Sequence, residues 1–96
     1  MNVLETLHLR MYGGDLDDLA ELVRIATGAR GDSHSVNVFR HSGIQGDLLV
    51  HIYRSGPGQT DRPSELGLRL ASLFRIHGLV EHSVWVREVE SQELVQ

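Results

Sequence analysis

Histidine, tyrosine and arginine recur at alternate positions along two strand-like segments of the sequence. In the segment 48–54 (LLVHIYR), His51 and Tyr53 alternate with apolar residues, and His8 and Arg10 do so near the amino terminus. Imidazole is the usual proton shuttle near neutral pH, and tyrosine or arginine can orient a substrate or stabilise negative charge. We therefore predict His51 and Tyr53 as catalytic residues. The predicted ligand-binding residues are His8, Arg10, Asn37, Phe39, Trp85 and Arg87.

These side chains are positioned by four predicted strands and two predicted helices. The strands show period-two alternation and the helices show helical periodicity. The predicted strands cover 3–12, 35–41, 47–54 and 80–89. The first helix begins at an Asp15 N-cap and ends near Gly28. The second begins with Asp61 or Arg62 at its cap and Pro63 in its first turn, and Gly78 ends it. The glycines of 42–46 predict a hairpin between the second and third strands.

The order strand, helix, strand, strand, helix, strand folds most economically as a ferredoxin-like α+β sandwich. Short connections and right-handed crossovers then give a four-stranded antiparallel sheet of order 4-1-3-2, with both helices on one face. We expect residues 1–96 to form a single domain of this kind, because a chain of this length supports one core. Gly67 lies inside the second helix at a cost of about 1 kcal/mol against alanine, so a close packing contact must compensate.

Alternation divides the strand residues between two faces of this sheet. The helix-covered face takes Leu7, Leu9, Met11, Val36, Val38, Leu48, Val50, Ile52, Val84 and Val86. The opposite face, called the open face below, takes Leu4, Thr6, His8, Arg10, Tyr12, Asn37, Phe39, His41, Leu49, His51, Tyr53, Ser83, Trp85 and Arg87. The open face has more apolar residues than a solvent-exposed surface and more polar residues than a hydrophobic core. Such a face is typical of a protein interface or a ligand cavity.

The element order, together with this aromatic and histidine-bearing open face, resembles the dimeric α+β barrel proteins typified by antibiotic-biosynthesis-monooxygenase-like domains. The resemblance covers residues 3 to 89. It implies a homodimer whose two sheets face each other across a cavity for a small-molecule ligand. It also implies a monooxygenase-like activity without a cofactor, in which a base deprotonates an electron-rich substrate. The alternative is a non-catalytic homodimeric module for assembly or regulation.

Composition excludes several other classes of protein. The chain has no cysteine and no lysine, which excludes thiolate catalysis, cysteine zinc sites and Schiff-base chemistry. The net charge of -4 and the scattered arginines argue against a nucleic-acid partner. No segment approaches the roughly 18 apolar residues that a membrane span needs, and the start of the sequence lacks a signal-peptide pattern. We expect a cytoplasmic protein.

The histidines and the acidic cluster have simpler explanations than a metal site. His8 and His51, on adjacent central strands, could share a metal or a substrate, but two histidines without a third ligand make a poor metal site. His34 and His82 are expected to be exposed at strand edges. Asp15, Asp17 and Asp18 suit a helix N-terminus. We therefore predict neither a metal nor a cofactor.

Overall fold

The computed structural model describes residues 1–13, 15–28 and 35–88, and the six predicted elements are all present. Four strands and two helices follow the predicted order. Their bounds are β1 (Asn2–Met11), α1 (Leu16–Gly28), β2 (Ser35–Arg40), β3 (Asp47–Ser55), α2 (Glu65–Arg75) and β4 (Gly78–Val86). Tyr12 and His41, predicted as strand residues, lie one position beyond the ends of β1 and β2.

The sheet has the order β2-β3-β1-β4, which confirms the predicted topology. β1 pairs with β3 and β4, and β3 pairs with β2, in every case antiparallel. β1 and β3 therefore occupy the centre. Since residues directly opposite each other in an antiparallel pair project to the same side, the register decides which side chains share a face.

Most of the residues that alternation assigns to the helix-covered face form the core, although Val86 at the end of β4 is 41% exposed. The predicted residues Leu7, Leu9, Leu48, Val50 and Ile52 are each 0% exposed. The helices cover them with Leu19, Val23, Leu66, Leu70, Ala71 and Phe74. At about 25 cal/mol per Å² of buried apolar surface, this contact fixes which side of the sheet the helices occupy and leaves the other side open.

α2 begins later than its turn residues predict. Ser64 is the N-cap, with φ of -75° and a side-chain oxygen that accepts a hydrogen bond from the Gly67 N–H at 2.9 Å. The predicted cap at Asp61 or Arg62 is therefore wrong, and Pro63 precedes the cap rather than lying in the first turn. At the first helix the Asp15 cap is confirmed, because its carboxylate accepts from the Asp17 N–H at 2.9 Å.

β4 starts at Gly78, after two turn residues that follow α2, and ends at Val86 instead of covering 80–89. A Cβ atom on Gly78 would lie 1.9 Å from the Arg10 carbonyl oxygen, so only glycine allows this close approach of β4 to β1. Gly78 thus begins the strand rather than ending the helix. Residue 89 and the tail 90–96 lie outside the described residues, as does His34.

A buried polar cluster under the start of α2 was not predicted. This group, called the Glu5 cluster below, consists of Glu5, Arg54, Ser64, Gly67 and His82. The Glu5 carboxylate is 0% exposed, and it accepts hydrogen bonds from the Ser64 N–H at 3.2 Å and the Ser64 hydroxyl at 2.6 Å. Arg54 Nε lies 3.5 Å from Glu5 Oε1 and His82 Nε2 lies 2.5 Å from Oε2. A buried carboxylate is stable only with such partners.

The Glu5 cluster shows that one sequence prediction was wrong and that another was right. His82 is not exposed at a strand edge: it lies opposite Leu7 in the register, on the helix-covered face, and its side chain is only 9% exposed. The compensating contact expected at Gly67 is present, because a Cβ atom there would lie 1.9 Å from Glu5 Oε2. The glycine therefore makes room for the carboxylate, which in turn bonds to the cap of the same helix.

Candidate functional site

The register brings most of the predicted site residues together on the open face. His51 lies between Thr6 of β1 and Asn37 of β2, and Leu49 lies between His8 and Phe39 in the next row. At the far end of the face, Leu4 has Tyr53 on one side and Trp85 on the other. Phe39 is 48% exposed and Trp85 is 62% exposed. Large aromatic side chains thus remain uncovered on this side of the sheet.

His8 is paired with a carboxylate on the open face. Its Nε2 atom lies 2.9 Å from Asp47 Oδ2, and the side chains are 33% and 9% exposed. Asp47 is the first residue of β3 and stands directly opposite Arg10, whose Nε lies 3.8 Å from the same oxygen. A carboxylate bonded to an imidazole orients the ring and fixes which ring nitrogen carries hydrogen, so the other nitrogen keeps its lone pair. This end of the face can therefore accept a proton.

His51 has different surroundings from His8. Its ring meets Phe39 edge to face, with ring centroids 5.2 Å apart. It is one register row away from His8 on the adjacent strand, since His8 stands opposite Leu49 and His51 opposite Thr6. Within the described residues no carboxylate bonds to His51. Among the described residues, His51 thus packs against an aromatic ring rather than against a carboxylate.

Tyr53 and Arg87 form a polar group at the other end of the face. Arg87 follows β4, and its Nη2 donates a hydrogen bond to the Tyr53 hydroxyl at 3.0 Å. The guanidinium carbon also lies 5.7 Å from the centroid of the tyrosine ring, within the range of a cation–π contact. Trp85 lies on the same face two residues earlier. The group combines a positive charge with aromatic surface, which suits a ligand that carries or develops negative charge.

Two shallow cavities lie at the two ends of the open face. One of about 190 Å³ is lined by His8, Asp47, Leu49 and Phe39 with their neighbours. The other, of about 280 Å³, is lined by Asn2, Leu4, Tyr53, Trp85, Val86 and Arg87. A larger cleft of about 1060 Å³ lies between the β1–α1 connection and the β2–β3 hairpin, and neither His8, His51 nor Tyr53 lines it. The candidate chemistry is therefore on the sheet.

No group of three or more histidine, aspartate or glutamate side chains within residues 1–13, 15–28 and 35–88 is arranged to hold a metal ion. His8 and His51 do not share a third ligand there. In the same described ranges, none of the helices has the length and apolar character to span a membrane.

Asp47 is the site residue that sequence reasoning missed. It was identified only as the start of a strand, although it has the same alternation phase as Leu49, His51 and Tyr53. The alternation phase was the signal in the sequence that could have identified Asp47 as a site residue. It places Asp47 on the open face, but only the register, which aligns Asp47 with Arg10 and one row from His8, reveals the pair.

The chain is similar in fold to a solved structure of an oxygenase. Over 94% of this chain and 96% of the other, it superposes on the crystal structure of SnoaB, a cofactor-independent oxygenase from Streptomyces nogalater, with a TM-score of 0.64 and 12% sequence identity. No protein-family model and no curated protein matches the sequence. The likeness confirms the predicted ferredoxin-like α+β fold.

Proposed function

We propose that two copies of this chain pack with their open faces together and enclose a small organic molecule, which is oxygenated without a cofactor. The observation that carries the proposal is the open face itself, where uncovered aromatic rings lie beside a histidine–carboxylate pair and an arginine-bound tyrosine. The fold shared with a cofactor-independent oxygenase supports the reaction class. Because one fold supports many different reactions, the side chains of the open face decide which chemistry is available.

The second copy of the chain is the occupant that this face fits best. Phe39 and Trp85 expose about half or more of their surface on a side of the sheet that the helices leave open. Aromatic residues are enriched at the centre of protein interfaces, and their burial there supplies much of the binding energy. A homodimer would place a second set of the same residues across the cavity and exclude water from it.

The reaction needs a base, a stabilised anion and dioxygen. A base on the face takes a proton from an acidic C–H or O–H group of an electron-rich substrate. The resulting anion gives one electron to dioxygen, the two radicals combine, and the peroxide formed loses water. A CH₂ group and O₂ thereby become C=O and H₂O, and the substrate supplies the electrons. His8 and His51 are the candidate bases, while Tyr53 and Arg87 would stabilise the negative charge.

The test combines mass in solution with turnover of an oxidisable probe. The anthrone dithranol has an acidic CH₂ group and yields a coloured quinone. We expect wild-type protein to have twice the mass of the chain and to consume one dioxygen per quinone formed. Trp85→Ala should weaken the dimer about thirtyfold, the effect of losing a residue worth about 2 kcal/mol at an interface. It should lower turnover in proportion to the dimer lost.

Leu68→Ala is the matched control, because Leu68 is also an exposed apolar residue, at 53%, but lies on α2 rather than on the open face. It should leave both mass and turnover as in wild type. A stable monomer would remove the proposal. A dimer that neither binds nor oxidises the anthrone would favour the non-catalytic assembly or regulatory module.

The cytoplasmic location and the single domain over residues 1–96 remain predictions.

A further inference from the structure

We propose that His8, positioned by Asp47, is the base that takes the proton, and that His51 is a wall of the same cavity. This assignment rests on the function proposed above and decides between its two candidate bases. It departs from the sequence prediction, which took His51 as the catalytic histidine. The reason is the difference in what the two rings contact on the open face.

The hydrogen bond to Asp47 determines which nitrogen of His8 is basic. An ionised carboxylate only accepts hydrogen bonds, so the His8 Nε2 atom at 2.9 Å from Asp47 Oδ2 must be the one that carries hydrogen. A neutral imidazole has a single N–H group. The lone pair of His8 is therefore on Nδ1, and this nitrogen accepts the substrate proton.

Asp47 also stabilises the charge that the proton transfer creates. When Nδ1 takes a proton, the imidazolium lies 2.9 Å from the carboxylate of Asp47, whose side chain is 9% exposed. Arg10 contacts the same oxygen at 3.8 Å, but its side chain is 67% exposed and solvated. Loss of the proton turns the substrate into an anion, and its arrival on His8 produces an ion pair with Asp47. The total charge of substrate and protein does not change.

His51 lacks such compensation within the described residues. Its cross-strand neighbours Thr6 and Asn37 are neutral, and its ring packs edge to face on Phe39. Protonation there would place a cation in aromatic surroundings without a counter-ion. The same packing makes His51 a good surface for a flat ligand.

The cavity beside His8 admits one ring of a substrate. Its volume is about 190 Å³, and protein cavities of roughly 150 Å³ hold benzene. Phe39 and Leu49 supply apolar walls, and the His8 side chain is 33% exposed. An aromatic ring with its acidic group toward His8 could extend along the face toward Tyr53.

Turnover of dithranol by four variants tests the assignment. His8→Gln keeps an N–H donor for Asp47 but removes the base, so we expect kcat to fall about a hundredfold or more while KM changes less than about threefold. Asp47→Asn should lower kcat about tenfold, because the ring loses its orientation and its counter-charge. His51→Gln should raise KM more than it lowers kcat. His77→Gln, next to the end of α2, is the control with wild-type kinetics.

Two further measurements separate a catalytic role for His8 from a merely structural one. Imidazole added to His8→Ala should restore part of kcat in a saturable manner, whereas it should have no effect on Asp47→Asn. Long-range proton–nitrogen NMR of the wild-type protein without substrate should show hydrogen on Nε2 of His8 and none on Nδ1. Asp47→Asn should disturb that tautomer.

The outcomes distinguish the two levels of the proposal. If wild-type protein does not oxidise the anthrone, the proposed function fails and the assignment of its base fails with it. If wild-type protein is active and His8→Gln keeps more than about a third of kcat, the function stands and the assignment is overturned. NMR that places the hydrogen on Nδ1 would also overturn it.

Discussion

The two faces of the sheet each contain a histidine paired with a carboxylate, and β1 supplies one partner to each pair. On the helix-covered face Glu5 meets His82 at 2.5 Å, with side chains 0% and 9% exposed. On the open face His8 meets Asp47 at 2.9 Å, with side chains 33% and 9% exposed. The two pairs have the same chemistry and differ in what surrounds them.

The surroundings decide whether such a pair is structural or available for chemistry. Glu5 has its oxygens occupied by Ser64, His82 and Arg54, and the start of α2 closes over them. Removing the carboxylate itself would leave the guanidinium of Arg54, which is 4% exposed, without its counter-ion. The His8 ring, in contrast, has one edge on Asp47 and lines a cavity with the rest. We therefore expect substitutions in the first pair to affect stability and those in the second to affect activity.

Glu5→Ala should produce the largest loss of stability. It leaves Arg54, 4% exposed, and His82 without their carboxylate, and removing one partner of a buried ion pair typically costs about 3–5 kcal/mol. Urea unfolding would measure the loss. Glu21→Ala is the control, since Glu21 pairs with Arg24 but is 58% exposed, and it should cost no more than about 0.5 kcal/mol. A loss below about 1 kcal/mol for Glu5→Ala would contradict the comparison.

Gly67→Ala should destabilise by about 2 kcal/mol although alanine favours helices. The new methyl group would displace the Glu5 carboxylate from Ser64 and His82, because its Cβ would lie 1.9 Å from Oε2. In the double variant Glu5→Ala/Gly67→Ala, the methyl group should cost much less than in wild type, which a double-mutant cycle would detect. Gly58→Ala is the matched control, with nothing within 4 Å of its Cβ. Additive losses would show that the two positions do not interact.

The smallest effect is expected from His8→Ala, and its difference from His82→Ala sharpens the comparison most. His82→Ala should cost about 2 kcal/mol, since it removes a buried hydrogen bond to a charged group. His8→Ala should cost less than about 1 kcal/mol, because its ring is a third exposed and water can replace it at Asp47. Thermal or urea unfolding of both variants measures the two losses of stability, which can then be compared. Equal losses would mean that the His8–Asp47 pair is as structural as the other.

Much of the fold could be predicted because strand alternation and turn residues are local signals. The phase of Leu7, Leu9, Val50 and Ile52 identified the covered face, and the same phase placed the aromatic residues on the other. The N-cap of α2 could not be assigned in this way. Asp61 and Ser64 are both good caps, and the contact that distinguishes Ser64 comes from Glu5, 59 residues away in the chain.

The site was predicted as a set of residues but not as a set of contacts. Asn37, Phe39, His51 and Tyr53 share a face because of alternation alone. The pairing of His8 with Asp47 depends on how β1 and β3 align, which alternation does not specify.

The buried polar residues were missed for another reason. Glu5 and His82 have the alternation phase of the core, but Glu5 was assigned to neither face and His82 was expected to be exposed at a strand edge. A polar residue in phase with core residues is a signal for a buried network, provided that a partner of opposite charge exists elsewhere.

The close contact between Gly67 and Glu5 has a consequence for recognising distant relatives of this chain. When sequence identity is as low as 12%, single positions carry little information, but two positions that constrain each other carry more. A related chain that keeps the glutamate of β1 must keep a glycine in the first turn of the second helix. One that loses the glutamate is free to place a larger residue there. Joint variation at positions 5 and 67 would therefore show which related sequences retain this contact.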